Sequence, residues 1–259
     1  MLLKDKSAIV YGAAGSVGGT VAQALAAEGA RVLLAGRRAA PLEAIAEKIE
    51  AAGGTADVAT VDALDETAVE AHADAAGPVD ISFNAISLPQ TGIQGTRIVD
   101  LSPEAFDRPI ATYTRANFLT ARAAARRMTA RGTGVILTIT ASPSRSAVPL
   151  MGGMAPAWAA IESLTRGLAA EVGPLGVRVV CINAAGMPET AQLTEVYGLH
   201  ADAYGITRSQ FEARMADRML SKRLPTIANI ADAAAFLASD RAAAITGSVL
   251  NLSSGMVIN

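Results

Sequence analysis

Ser7-Ala8-Ile9-Val10-Tyr11-Gly12-Ala13-Ala14-Gly15-Ser16-Val17-Gly18-Gly19 runs from an apolar strand into a glycine-rich turn, and Thr20 to Glu28 continue it in the pattern of a helix. A strand that turns through glycines into a helix leaves the first helical N–H groups and the positive end of the helix dipole free to hold a pyrophosphate. Gly12, Gly15 and Gly18 stand three apart, where a side chain would keep the backbone from phosphates or block close packing of helix on strand. Ser16 and Val17 supply the N–H groups between them. The stretch therefore reads as a dinucleotide cradle; plain helix-on-strand packing is the competing reading.

Outward from this turn, strand-like runs near 7–11, 31–35, 55–61, 79–84, 134–140, 177–182 and 248–252 alternate with helical patterns near 16–28, 39–51, 65–76, 102–130, 156–172, 208–219 and 229–238. Alternation of this kind predicts an α/β fold, a doubly wound, mostly parallel sheet of seven strands flanked by helices. With no composition shift or linker, residues 1–259 read as a single domain. Asn183 to Ile206 is the longest piece read as irregular. It follows the carboxyl end of a strand, where open α/β sheets bind ligands, so about 183–219 reads as a substrate loop or lid.

A formal net charge of -2 gives no electrostatic footprint for nucleic acid or an anionic membrane. Hydrophobic residues make up 51% and aromatics only 4%, which predicts a core of Ala, Val, Leu and Ile. The single cysteine, Cys181, sits in the apolar run Val177 to Ile182 and reads as a small core residue, in keeping with a reducing compartment. Met1 to Lys6 lacks the apolar region of a signal peptide and no apolar run reaches membrane-spanning length, so a cytoplasmic protein is expected. No His/Cys/Asp/Glu cluster has metal-ligand spacing, and no elbow-type serine nucleophile is present.

Further landmarks along nearly the whole chain resemble the short-chain dehydrogenase/reductase family and its Rossmann fold. Val61-Asp62-Ala63 resembles the family's adenine contact, and Phe83-Asn84-Ala85-Ile86 its Asn-Asn-Ala-Gly turn, of which Asn84 and Ala85 remain. Leu164 to Gly173, Gly176-Val177-Arg178-Val179, Phe236 to Asp240 and Ile245-Thr246-Gly247 resemble its later helices and strands. The glycine spacing matches the extended branch of the family; in the shorter branch's grid Ser16 takes the middle glycine and Tyr11 the usual Thr. The resemblance further implies a cofactor contact at Thr190 and a homotetramer or dimer. After the second strand stand Gly36, Arg37 and Arg38, with no acid for a ribose 2′-OH and two guanidinium groups for a 2′-phosphate, so NADP(H) is expected over NAD(H). A solvated basic turn is the other reading of Arg37 and Arg38.

The family's proton relay is a Tyr, a Lys four residues later, a Ser and an Asn. Counting from Leu164-Thr165-Arg166 puts Met154 in the Tyr slot, Trp158 in the Lys slot and Ala141 in the Ser slot, with Ser142 beside it. Tyr113 falls in the Asn slot, one turn before Asn117. The lysines are Lys4, Lys6, Lys48 and Lys222 and the tyrosines Tyr11, Tyr113, Tyr197 and Tyr204, so no Tyr-Lys pair exists in the central segment. Losing a positioned acid costs about 10²- to 10⁴-fold in rate. Ser142 and Tyr113 are the candidate substitutes. Ser144 could hydrogen-bond a substrate oxygen and Arg145 supply positive charge, but they read first as a turn and a solvated charge; His200 reads as an exposed lid residue able to act as an acid near neutral pH, and His72 as structural or solvated.

The sequence thus supports an NADP(H)-dependent oxidoreductase of atypical site, acting on an unidentified small molecule that needs no strong acid, such as an iminium or conjugated acceptor. A catalytically inactive NADP(H)-binding homologue, serving as a sensor or oligomer partner, is the alternative; a non-redox enzyme on the same scaffold is the third.

Overall fold

The computed structural model describes residues 1–258. Seven strands, β1 (Ser7–Tyr11), β2 (Arg31–Gly36), β3 (Thr55–Thr60), β4 (Ile81–Asn84), β5 (Gly134–Ala141), β6 (Val177–Ala184) and β7 (Val249–Leu252), form one parallel sheet in the order β3-β2-β1-β4-β5-β6-β7. Tyr11 pairs with Ala35 on one side and Asn84 on the other. The order reverses between β1 and β4, which opens a crevice beyond their carboxyl ends.

Strand alternation assigns the two faces. Ala8 and Val10, Val32 and Leu34, and Val180 and Ile182 point into one layer with α1 (Ser16–Ala27), α2 (Ala39–Ala51) and the last helix, Ile227–Ala238. Ile9 and Tyr11, Leu33 and Ala35, and Val177 and Val179 point into the other, against α3 (Glu66–Ala75), α4 (Pro103–Arg131) and α5 (Met154–Val172). With helices on both faces the inner strands are buried along nearly their whole length, as β6 shows.

Local chemistry sets the helix ends. Asp65 caps α3 by accepting from Thr67 N and Ala68 N, Ser102 caps α4 by accepting from Ala105 N, and Gly132 closes α4 at φ 72°. Pro156 is tolerated in the first turn of α5, where no intrahelical N–H bond is lost, so that helix starts at Met154 rather than at 156.

The stretch expected to be irregular, 183–206, is largely helical: α6 spans Ala191–Tyr204, followed by α7 (Arg208–Asp217) and then by the last helix, α8. Thr190 caps α6, Thr207 and Gln210 form a capping box on α7, and Val196, Tyr197, Ala201 and Phe211 share a small apolar cluster. The apolar stripe of α6 is narrow and interrupted by Glu195, Gly198 and Asp202, which hides its period in the sequence. Among the described residues no helix is long and apolar enough to cross a membrane.

At the turn after β1, Gly12 has φ 74°, and a Cβ there would lie 2.7 Å from the Ala85 carbonyl. A Cβ on Gly18 would strike the Gly12 carbonyl oxygen. Gly18→Ala must push α1 off the strand, and thermal unfolding should show a loss of about 1–3 kcal/mol.

Candidate functional site

Two adjoining cavities lie beyond the carboxyl ends of the strands, sharing Gly15, Ile86 and Ser87. The first, about 230 Å³, is walled by the β1 turn, the end of β2 and the loop after β3; the second, about 170 Å³, by the ends of β4, β5 and β6 and by α4 to α7. Gly15 is the N-cap of α1, and no side chain caps that helix, so its leading N–H groups open toward the shared region. Ser16 and Val17 line the second cavity. Gly18 lines neither; it is the close-packing glycine described above.

Around the first cavity stand Gly12, Arg37, Arg38, Asp62 and Ala63. Arg37 and Arg38 are exposed, and among the described residues neither makes an ion pair. Asp62 Oδ1 accepts from Leu64 N at 3.0 Å. Tyr11 also touches this cavity, but it is 2% exposed and its ring meets His72 edge-on at 5.8 Å, so it forms the floor. Burial pushes its phenol up and holds the His72 imidazole, whose two nitrogens have no partner, below its ordinary value. His72 is thus neutral packing.

Asn84 and Ala85 line the second cavity, and the Asn84 amide is committed to the fold. Its Nδ2 donates to Thr120 Oγ1 at 2.9 Å and Ala116 O at 3.2 Å, while Oδ1 accepts from Ile86 N. Thr190, expected at the cofactor, lines neither cavity: its hydroxyl donates to Met187 O at 3.0 Å and accepts from Leu193 N at 3.2 Å as the α6 cap.

The positions that the resemblance aligns with the relay divide. Tyr113, Ala141 and Trp158 line the second cavity, as does Ser142, whose Oγ donates to Ala184 O at 3.2 Å. Met154 does not; it is fully buried among Ile93, Tyr113 and Ile161. Tyr113 Oη accepts from Leu88 N at 3.3 Å, and burial pushes its hydroxyl above the ordinary value. Asn117 donates to Tyr113 O at 2.9 Å, leaving its Oδ1 without a partner.

Three side chains depart from their sequence reading. His200 is not an exposed lid acid: it is 2% exposed, stacks on Phe211 at 5.3 Å and meets Gln94 Oε1 through Nε2 at 3.1 Å. Burial pushes it down to about 4, so it is neutral at pH 7. Arg145 is not a solvated charge, because its Nε donates to Glu162 Oε2 at 2.8 Å. Ser144 is more than a turn residue, donating to Glu162 Oε1 at 2.6 Å and accepting from Asn183 Nδ2 at 2.8 Å.

Glu162 itself was missed. It is 4% exposed, and its Oε1 also accepts from Thr140 and Asn183. Burial opposes its charge, but hydrogen bonds from Ser144, Arg145 and Asn183 and the Arg145 charge outweigh that and keep the carboxyl below its usual range. The available signal was a carboxylate on the core face of α5, between Ile161 and Thr165. Burial also pushes the Cys181 thiol up to about 11, as expected of a core cysteine.

Residues 12–257 match the family model described as enoyl-(acyl carrier protein) reductase. The chain is 31% identical over 261 residues to the uncharacterized oxidoreductase YxbG of Bacillus subtilis, covering 98% of this chain and 92% of that protein. It is 32% identical over 265 residues to a gluconate 5-dehydrogenase of Gluconobacter oxydans, covering 99% and 96%. Among solved structures, a variant actinorhodin polyketide ketoreductase with NADPH matches at a TM-score of 0.88 and 25% identity, over 97% of each chain.

The buried histidine makes stability depend on pH. His200 binds a proton near 6.5 in the unfolded chain and near 4 in the folded one, so its contribution is full above 6.5 and is lost as pH falls toward 4. The melting temperature should fall across that window, and His200→Gln should flatten the slope while His72, shifted in the same direction, leaves a remainder.

Proposed function

The chain belongs to the short-chain dehydrogenase/reductase family of oxidoreductases, and we propose that it is an NADP(H)-dependent member acting on an acceptor that is already polarised. The observation that carries this reading is the pairing of a well-formed cradle with a second cavity in which Trp158 stands where the resemblance expects a lysine. The residues present suit a dinucleotide: a Cβ would fill the turn at Gly12, and no side chain occupies the α1 N-terminus. When bound, the nicotinamide supplies or takes the hydride.

The chain's own part is binding, orientation and exclusion of water. Gly15, Ser16 and Val17 offer backbone N–H groups to the pyrophosphate, and Asp62 lies at the adenosine end. Arg37 and Arg38, free of ion pairs among the described residues, favour a 2′-phosphate over a bare ribose. Tyr113 and Ser142 are the hydroxyls at the second cavity that stand at or beside the positions aligned with the relay, and with no cation among the described lining residues Tyr113 remains a weak acid. Such a site serves an iminium or conjugated acceptor, for which orientation in a dry pocket accounts for most of the rate. The helices α6 and α7 cover the substrate side and act as its lid.

Removing one charge-assisted contact weakens binding by about 10- to 100-fold. Arg37→Ala should therefore raise the Kd for NADPH by that factor and leave NADH unchanged in a fluorescence titration; equal loss for both would remove the NADP assignment. In an NADPH-oxidation assay, imines and enones should turn over about 10²-fold faster than simple ketones, with ketone turnover falling further in Tyr113→Phe. Tight binding of NADPH with no turnover of any acceptor would instead identify a catalytically silent binding protein.

A further inference from the structure

The second cavity lacks charge where an anionic substrate would need it. Among the described residues lining it there is no Lys, Arg, Asp or Glu. The outer wall, built by α5, α6 and α7 and the loop before α5, presents Met151, Trp158, Val196, Tyr197, Phe211 and Met215. The ionisable base in that wall, His200, is held neutral by burial, and its Nε2 is spent on Gln94.

Charged side chains on the elements that build the wall are already compensated at Arg145, Arg208 and Glu195. Arg145 is bound to the buried Glu162 at 2.8 Å. Arg208 on α7 pairs with Glu212 at 2.7 Å and donates to Pro188 O. Glu195 on α6 accepts from Gln90 N, Thr91 N and Thr91 Oγ1, all within 2.9 Å. The polar groups of the described lining residues are neutral, among them the Gln192 amide and the Tyr113 hydroxyl it bonds, the Ser142 and Tyr197 hydroxyls and the unpartnered Asn117 Oδ1.

Away from the Gly15 to Val17 rim that the cofactor pyrophosphate takes, a carboxylate or phosphate against the outer wall would give up its water for methionine, valine and aromatic surface with no counter-charge, which is strongly unfavourable. An uncharged ligand with an apolar body gains by the same burial, and methionine side chains adapt to its shape. We infer that the substrate is an uncharged molecule with an apolar or aromatic body and one polar reacting group, and that sugar acids, sugar phosphates and other small anions are excluded. This rests on the reading of the second cavity as the substrate side of an NADP(H)-dependent oxidoreductase.

Trp158 is the single tryptophan and stands in the cavity wall, so its fluorescence reports occupancy without any need for turnover. The test titrates the full chain at pH 7.5, with and without NADP, against para-acetylbenzoate and its methyl ester, which share ring and ketone and differ in charge. The ester should quench Trp158 with a Kd at least about tenfold lower than that of the carboxylate. Gln192→Arg, which places a cation in the wall, should reverse that preference. Equal or tighter binding of the carboxylate by the native chain, or no quenching by either compound, overturns the inference. Ester binding that persists while NADP fails to bind, or NADPH fails to reduce any uncharged acceptor, overturns the oxidoreductase reading and leaves the cavity's selectivity standing.

Discussion

Everything at the crevice depends on how closely the backbone of the first turn approaches its neighbours. The Gly12 carbonyl lies directly under Gly18, and Gly12 itself lies against the Ala85 peptide. These contacts lock α1, the β1 turn and the end of β4 into one rigid unit at the point where the sheet order reverses. Because the N-cap residue is itself a glycine, Gly15, it brings no side chain to cap α1, and the leading N–H groups remain for a ligand. A phosphate cradle and close glycine packing are thus two aspects of one geometry.

Charge is segregated around that unit. On the outer surface Arg122, Arg126 and Arg127 of α4 meet Glu66, Glu70 and Asp74 of α3 in a network that is half-buried at Arg122, Glu70 and Arg127 and solvated at Glu66, Asp74 and Arg126. Behind the second cavity, the Arg145–Glu162 pair is closed by Ser144, Asn183 and Thr140, so the cost of burying a carboxylate is met by several hydrogen bonds. The cavity between is left to uncharged groups. This arrangement ties the carboxyl ends of β5 and β6 to α5 one turn beyond Trp158, and so fixes the wall against which a substrate lies.

The inner strands were legible because burial on both faces leaves a strong pattern, as in the run from Val177 to Ile182, and the long helices because α4 and α5 each carry one periodic buried face. So were Gly12 and Gly18, since each fills a place no side chain fits. Helix α6 was not, because its stripe is narrow and its stability comes from Phe211 on the next helix. Thr190 illustrates the same limit from the other side, as a threonine after a strand suits a ligand contact and a helix cap equally well, and here the cap has taken the hydroxyl.

By itself the sequence determined the parallel α/β sheet, the glycine turn and the lack of any Tyr-Lys pair in the central segment, because each follows from residue type and spacing along one stretch of chain. The tertiary structure alone decided that His200 is neutral and buried, that Arg145 is bound to Glu162 and that no Lys, Arg, Asp or Glu among the described residues lines the second cavity. Those properties depend on which groups from distant segments come within a few ångströms, and on how much water is left between them, neither of which is written in local sequence.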